Sequence, residues 1–211
     1  MHRHLLQLCQ RLPELQGLAA DIAAACDLCV QSLRAGGTLH ICGNGGSRAD
    51  AEHIAGELLK GFLRPRTPPA SEQAQWVARF GDDGRRLARS LQQGLRAQVL
   101  GADHALCTAV SNDRDPDLIF AQPLYVLGRP GDALLALSTS GNARNVLAAC
   151  QVAACRGIPI LGLTGAEGGR LAQIAQICLK VPAVETYLVQ ELHLPVYHCL
   201  CAMLEDAFFA P

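Results

Sequence analysis

The chain has 211 residues and a formal net charge of -1; half of its residues are apolar and 18% are charged. That length suits a single domain with a sizeable core, and the composition is globular rather than disordered. A near-neutral balance gives no bulk attraction to nucleic acid or to an anionic membrane, and no apolar run approaches the roughly 18–20 residues of a membrane span.

The opening MHRHLLQLCQRLPELQ is too polar for the apolar segment of a signal peptide. Residues 4–34 read as one helical region bent near Pro13 and Gly17, because Leu5, Leu8, Leu12, Leu15, Leu18, Ile22 and Ala25 recur at spacings of three and four. Gly36 and Gly37 end it, a strand follows at 38–42, and a helix runs from about 48 to 61. Three prolines and polar composition mark 64–82 as an irregular excursion, followed by a short helix at 84–93. Short apolar runs at 95–100, 133–137, 159–163 and 177–181 fit buried parallel strands. Helical patterns at about 102–111, 116–127, 143–156, 168–175 and 184–208 surround them, although 105–110 fits a strand equally well by pattern alone. Alternating strands and helices predict one α/β domain over 1–211 with a parallel sheet, a helical region at 1–36 and an insertion at 64–94.

Ten cysteines raise the possibility of a disulfide scaffold. Most sit in apolar patterns, where Cys acts as a small hydrophobe. Cys26-x-x-Cys29 and Cys199-x-Cys201 fall in helical patterns rather than in the turns of a zinc knuckle. Without an export signal, the expected compartment is the reducing cytoplasm.

Ligands of open parallel sheets bind beyond the carboxyl ends of the strands. After 133–137 come Ser138, Thr139, Ser140, Gly141 and Asn142. This hydroxyl cluster opens a helix, where free N–H groups and the positive dipole end suit a phosphate. A single hydroxyl would suffice for a simple cap. After 38–42 comes GNGGS, whose small residues allow close approach to the backbone. It is not a dinucleotide fingerprint, since Arg48 stands where the third glycine is needed, and it lacks the Gly-Lys-Ser/Thr of a phosphate loop. His53 and Glu57 are four apart on one helix face, and Gln190 and His198 are eight apart on another. Brought together, they would make a divalent metal site or an acid–base pair.

GNGGSRADAEHIAGEL, SND at 111–113, LSTSGNARNV, LTGAEGG and VQELHLPVYH occur in an order that resembles the SIS (sugar isomerase) domain of phosphoheptose isomerases. The resemblance implies an α/β/α sandwich around a five-stranded parallel sheet of flavodoxin-like order 2-1-3-4-5, with 95–111 as strand then helix. It implies a homotetramer with sites at subunit interfaces, while the charge and the lack of a span lead to the expectation of no nucleic-acid or membrane partner. Asn44, Gly45, Gly46, Ser47, Asn112, Asp113 and Gln190 would bind the substrate, and Ser138, Thr139 and Ser140 would hold its phosphate. Zn2+, one per subunit, would be held by His53, Glu57, Gln190 and His198. Glu57 would be the base and His198 the acid/base in conversion of sedoheptulose 7-phosphate to D-glycero-D-manno-heptose 7-phosphate through an enediolate. Metal binding would make Glu57 a poorer base, so its two roles compete.

Three features depart from the family pattern. Ala143 replaces a Ser, Tyr187-Leu188-Val189 replace a stretch that commonly carries a polar residue and an Arg, and the 64–94 segment is longer. They keep open an isomerase of another phosphorylated ketose. A non-catalytic SIS protein that binds a partner is the other alternative, though such relatives lose the Glu and His kept here as Glu57 and His198. A sugar-phosphate regulator would need a DNA-binding module, and none is visible.

Overall fold

The computed structural model describes residues 1–210. Helix α1 (Arg3–Arg11) and helix α2 (Ala19–Arg34) are separated by a 3-10 turn, Pro13–Leu18, so the expected bend lies where Pro13 removes a helical donor. Strands β1 (Leu39–Cys42), β2 (Ala97–Val99), β3 (Ala133–Leu137), β4 (Ile160–Thr164) and β5 (Ile177–Lys180) form one sheet. Its order is β2-β1-β3-β4-β5, and every neighbouring pair is parallel. Ile41 stands opposite Val99 on one side and Leu135 on the other.

Both faces of the sheet are covered, which is why β3 reads as an unbroken apolar run. Leu39, Ile41, Leu135 and Leu161 pack under α1, α2, α3 (Gly46–Leu59) and α9 (Thr186–Phe209). Cys42, Leu134 and Ala136 face the other side, against α6 (Ala121–Leu127), α7 (Arg144–Cys155) and α8 (Leu171–Ile174). The result is the expected three-layer sandwich. Cys26, Cys29, Cys199 and Cys201 all lie in the first of these cores, and burial pushes the Cys29 and Cys199 thiols up to about 12, as expected of packing groups.

The 64–82 segment differs from expectation. Residues Ala70–Ser90 form helix α4, broken at Gly81, where φ is +54°. The prolines at 68 and 69 precede the first turn, where the missing N–H costs nothing, and so they start the helix instead of breaking it. Only Gly84 and Ala88 of α4 are buried, although Trp76, Val77, Phe80 and Leu87 recur at helical spacing along one side of it. The 105–110 ambiguity resolves as helix α5 (His104–Asp113), capped by the Asp103 side chain on Leu106 N–H. Residues 116–127 divide into a 3-10 turn, Pro116–Leu118, and α6.

A buried ion pair joins α3 to α9. Arg66 Nε donates to Glu205 Oε1 at 2.9 Å, with both side chains inaccessible to solvent. The same guanidinium donates to the carbonyls of Leu58 (2.7 Å) and Glu57 (3.1 Å), satisfying orphan acceptors at the end of α3. Glu205 in turn accepts the N–H groups of Phe62 and Leu63, each at 2.8 Å. Phe209 lies beneath the Arg66 guanidinium, 4.6 Å from it.

Burial works against the charge of Glu205, but the two N–H groups and Arg66 outweigh it and hold its pKa below the ordinary 4.5. A carboxyl depressed on folding stabilises above its unfolded pKa, and that contribution is lost as pH falls through the folded value. Glu205→Gln leaves Arg66 charged and uncompensated, and should cost about 3–5 kcal/mol in urea unfolding at neutral pH. The stability of the unmodified protein should decline progressively below pH 4.5, and the variant should show a shallower decline over the same range.

Candidate active site

Three helices begin at one groove of about 300 Å³ at the carboxyl end of the sheet: α3, α7 and α9. Their N-cap residues, Gly45, Ala143 and Glu185, make no side-chain cap; Arg48 N–H instead bonds the Gly45 carbonyl and Val146 N–H the Asn145 Oδ1. Helix N-termini that meet in this way suit an anion. Asn44, Gly45, Gly46, Ser47, Ser138, Thr139, Ser140 and Gln190 all line it, as does Ala143, which brings no hydroxyl.

The loop after β3 is held by its neighbours. Ser138 N–H donates to Leu163 carbonyl, and Gly165 N–H to Thr139 carbonyl. The Asn142 side chain bridges Ser140 carbonyl and Arg170 N–H. Across the groove, the Asn44 amide is locked to the Asn145 amide by two reciprocal bonds of 2.8 and 2.9 Å. Gly45 takes φ +53°, a conformation that favours glycine. Gly46 is required for a different reason: a Cβ there would stand 2.5 Å from Gln190 Nε2. Close contact between α3 and α9 therefore places the Gln190 amide.

The acid–base residues lie further along these two helices. His53 Nε2 is 3.2 Å from Glu57 Oε1 and 3.4 Å from His198 Nε2. Glu57 Oε2 accepts from Lys60 Nζ at 3.1 Å. Burial, then the neighbouring His53, lowers the pKa of His198 against the opposing pull of Glu57. Behind His53, the Tyr197 hydroxyl is 3.0 Å from His53 Nδ1 and 3.2 Å from Asp50 Oδ1. Burial, reinforced by the Asp50 charge, pushes the Tyr197 phenol up, so the hydroxyl keeps its proton. His198 also lines a second groove of about 370 Å³, walled by Arg11, Phe62, Leu63 and Leu194.

One protomer therefore brings together His53, Glu57 and His198, and separately places Gln190 among the groove residues. Among the described residues, no three His, Cys, Asp or Glu side chains form a closed metal-holding set. Asn112 and Asp113 are not among the residues that line the groove. They lie exposed at the end of α5, bonded to each other at 2.8 Å. Sequence reasoning missed Thr186, which lines the groove as the first residue of α9, and the supporting residues Asn145, Asp50 and Tyr197. Asp50 carried a faint signal, standing one turn before His53 on the same helix.

SIS domain models match residues 3–100 and 120–203. The phosphoheptose isomerase of Rhodospirillum rubrum is 40% identical over 90% of this chain and 87% of its own length. That of Thiobacillus denitrificans is 39% identical over 93% of this chain and 88% of its own length. Among solved structures, the phosphoheptose isomerase of Neisseria gonorrhoeae superposes with a TM-score of 0.74 at 29% identity, covering 96% of this chain and 95% of that one. The enzyme from Francisella tularensis gives 0.75 at 29% identity, covering 95% of this chain and 92% of that one.

The contact at Gly46 is open to a direct test. In Gly46→Ala the new methyl displaces the end of a flexible Gln190 side chain, so the melting temperature should change little. Binding of a phosphate ester in the groove, followed by calorimetry, should weaken at least about tenfold, or 1.4 kcal/mol. Gly56→Ala, whose added methyl meets nothing within 4 Å, should bind as the unmodified protein does.

Proposed function

We infer the function from one premise: the chain belongs to the SIS-domain family of phosphoheptose isomerases. We propose that it is an aldose–ketose isomerase that converts sedoheptulose 7-phosphate to D-glycero-D-manno-heptose 7-phosphate. The observation that carries the reading is the pairing of an anion groove with a His–Glu–His cluster on the same two helices, α3 and α9.

In this reading the phosphate sits against Ser138, Thr139 and Ser140 and the three helix N-termini, with Asn44, Gly45, Gly46, Ser47 and Gln190 along the sugar. The Glu57 carboxylate removes a proton from C1 of the ketose, and an enediolate forms as the carbonyl at C2 accepts the electrons. Glu57 returns the proton to C2, while His198 carries a proton from the C1 oxygen to the C2 oxygen, so atoms and charge balance. A His198 with lowered pKa is neutral near pH 7 and free to accept that proton.

Two donor separations around His53 support a divalent metal. In a tetrahedral zinc site with bonds of about 2.0–2.1 Å, ligand atoms stand about 3.3 Å apart. The separations of 3.2 and 3.4 Å around His53 are of that size. A carboxylate oxygen and two imidazole nitrogens facing one another also call for a positive centre. His53, Glu57, Gln190 and His198 would hold zinc, which when bound would polarise the substrate carbonyl and stabilise negative charge on its oxygens. Glu57 Oε1 faces the imidazoles and Oε2 faces Lys60, so one oxygen can serve a metal while the other takes the proton.

A homotetramer completes the proposal. Exposed Leu63 and Leu194 on the walls of the His198 groove support a subunit contact there, and Asn112 and Asp113 would reach sugar only in the assembly. No helix among the described residues is long and apolar enough to cross a membrane. All ten cysteines are free, which supports a reducing cytoplasm as the site of action.

Ala143 favours one second reading, isomerisation of a different phosphorylated ketose, because it lines the groove without the usual hydroxyl. The test is conversion of sedoheptulose 7-phosphate by metal-loaded protein, with Glu57→Gln alongside. The unmodified protein should form the aldoheptose phosphate. Glu57→Gln should lose about 10²–10⁴-fold in kcat with its fold intact. Ser138→Ala should chiefly raise KM. Turnover only of another phosphoketose would move the assignment to the second reading, and turnover of none would sink both.

A further inference from the structure

His53 is the only member of the acid–base cluster that touches both of the others, so the state of its ring decides what the cluster can do. Its two nitrogens face different surroundings. Nε2 faces Glu57 and His198, and Nδ1 faces the Tyr197 hydroxyl at 3.0 Å. That hydroxyl also stands 3.2 Å from Asp50 Oδ1. A carboxylate can only accept, so the Tyr197 O–H is spent on Asp50. The Tyr197 oxygen is then left to accept, and His53 Nδ1 must carry the hydrogen. Nε2 faces Glu57 Oε1 and His198 Nε2: with metal bound its lone pair would serve the ion, and without metal any hydrogen it carries is donated to the Glu57 carboxylate.

We propose that Tyr197, backed by Asp50, is the positioning residue that fixes the ring orientation and tautomer of His53. The relay is built for that task. Asp50 and His53 are one turn apart on α3, and Tyr197 reaches them from α9, next to His198. The Tyr197 ring meets the rings of His53 and His198 edge-on, at 5.5 and 5.0 Å, which limits both to a narrow range of orientations. A ligating histidine held by its second nitrogen keeps its tautomer, and loss of such a partner typically costs 10–100-fold in metal affinity. The inference rests on the isomerase reading for its purpose, and on hydrogen-bond geometry alone for its content.

Three substitutions separate the roles. Tyr197→Phe removes one oxygen and keeps the ring. Asp50→Leu frees the Tyr197 O–H to donate to His53 Nδ1, which moves the hydrogen of His53 to Nε2. Asp50→Asn keeps a carbonyl acceptor and should rescue the arrangement. Nitrogen-15 shifts of the histidine rings in the full-length protein, without added metal, report the tautomer directly.

The unmodified protein and Asp50→Asn should show hydrogen on His53 Nδ1, and Asp50→Leu should show Nδ1 without it. Zinc titrated against a chromophoric chelator should bind about 10–100-fold more weakly to Tyr197→Phe, and more weakly still to Asp50→Leu. A structural role alone would shift the melting temperature and leave the tautomer unmoved. A His53 tautomer indifferent to Asp50→Leu would overturn the inference even in an active isomerase. The expected tautomer switch in a protein that turns over no phosphoketose would uphold the inference and sink the isomerase reading instead.

Discussion

Two buried opposite charges, Arg66 and Glu205, hold the catalytic half of the molecule in register. Desolvating such a pair is costly, and the cost is offset only when nearly every remaining donor and acceptor is also matched. Here the surplus donors of Arg66 end α3 by binding the carbonyls of Glu57 and Leu58, and the surplus acceptors of Glu205 take the amides of Phe62 and Leu63. A hydrophobic pair of equal volume could fill the space but could not close the last turn of α3. The backbone of Glu57 is thus fixed by a residue that does not line the groove, and the same contact fixes α9, which brings His198 to His53.

The site uses different means for its two tasks. No Lys or Arg lines the groove, so in the proposed reading the phosphate would be held by hydroxyls, amides and three helix ends. Each helix end contributes about 0.3–2 kcal/mol, and these oriented dipoles do not need to reorganise when the ligand arrives. Side-chain charge is kept for the neighbouring His–Glu–His cluster, where proton transfer needs it.

The sequence made the frame easy to read, because strands covered on both faces leave apolar runs and the loops at their ends carry unusual residues. GNGGS and STSGN were visible for that reason, and the helical spacing of His53 with Glu57 survived into a real contact. Helix α4 was hidden behind Pro65, Pro68 and Pro69, whose turn signal outweighed the helical spacing of Trp76, Val77, Phe80 and Leu87. Tyr197 and Asn145 were hidden for another reason: each acts on a residue more than a hundred positions away, and local pattern holds no trace of such a pairing. Asn112 and Asp113 show the converse, since a motif stands clear in the sequence while a single protomer leaves it outside the groove.

The Arg66–Glu205 pair spans 139 positions of chain, and Tyr197 lies 147 from Asp50. During synthesis, α3 emerges with its His and Glu long before α9 does. Until then Arg66 has no carboxylate, the carbonyl end of α3 is uncapped, and His53 has no phenol behind its ring. The sheet and the anion groove's first two walls can assemble early, but the reactive cluster cannot. A nascent chain could therefore hold a phosphate before it could move a proton, and competence would arrive in a single late step as α9 docks.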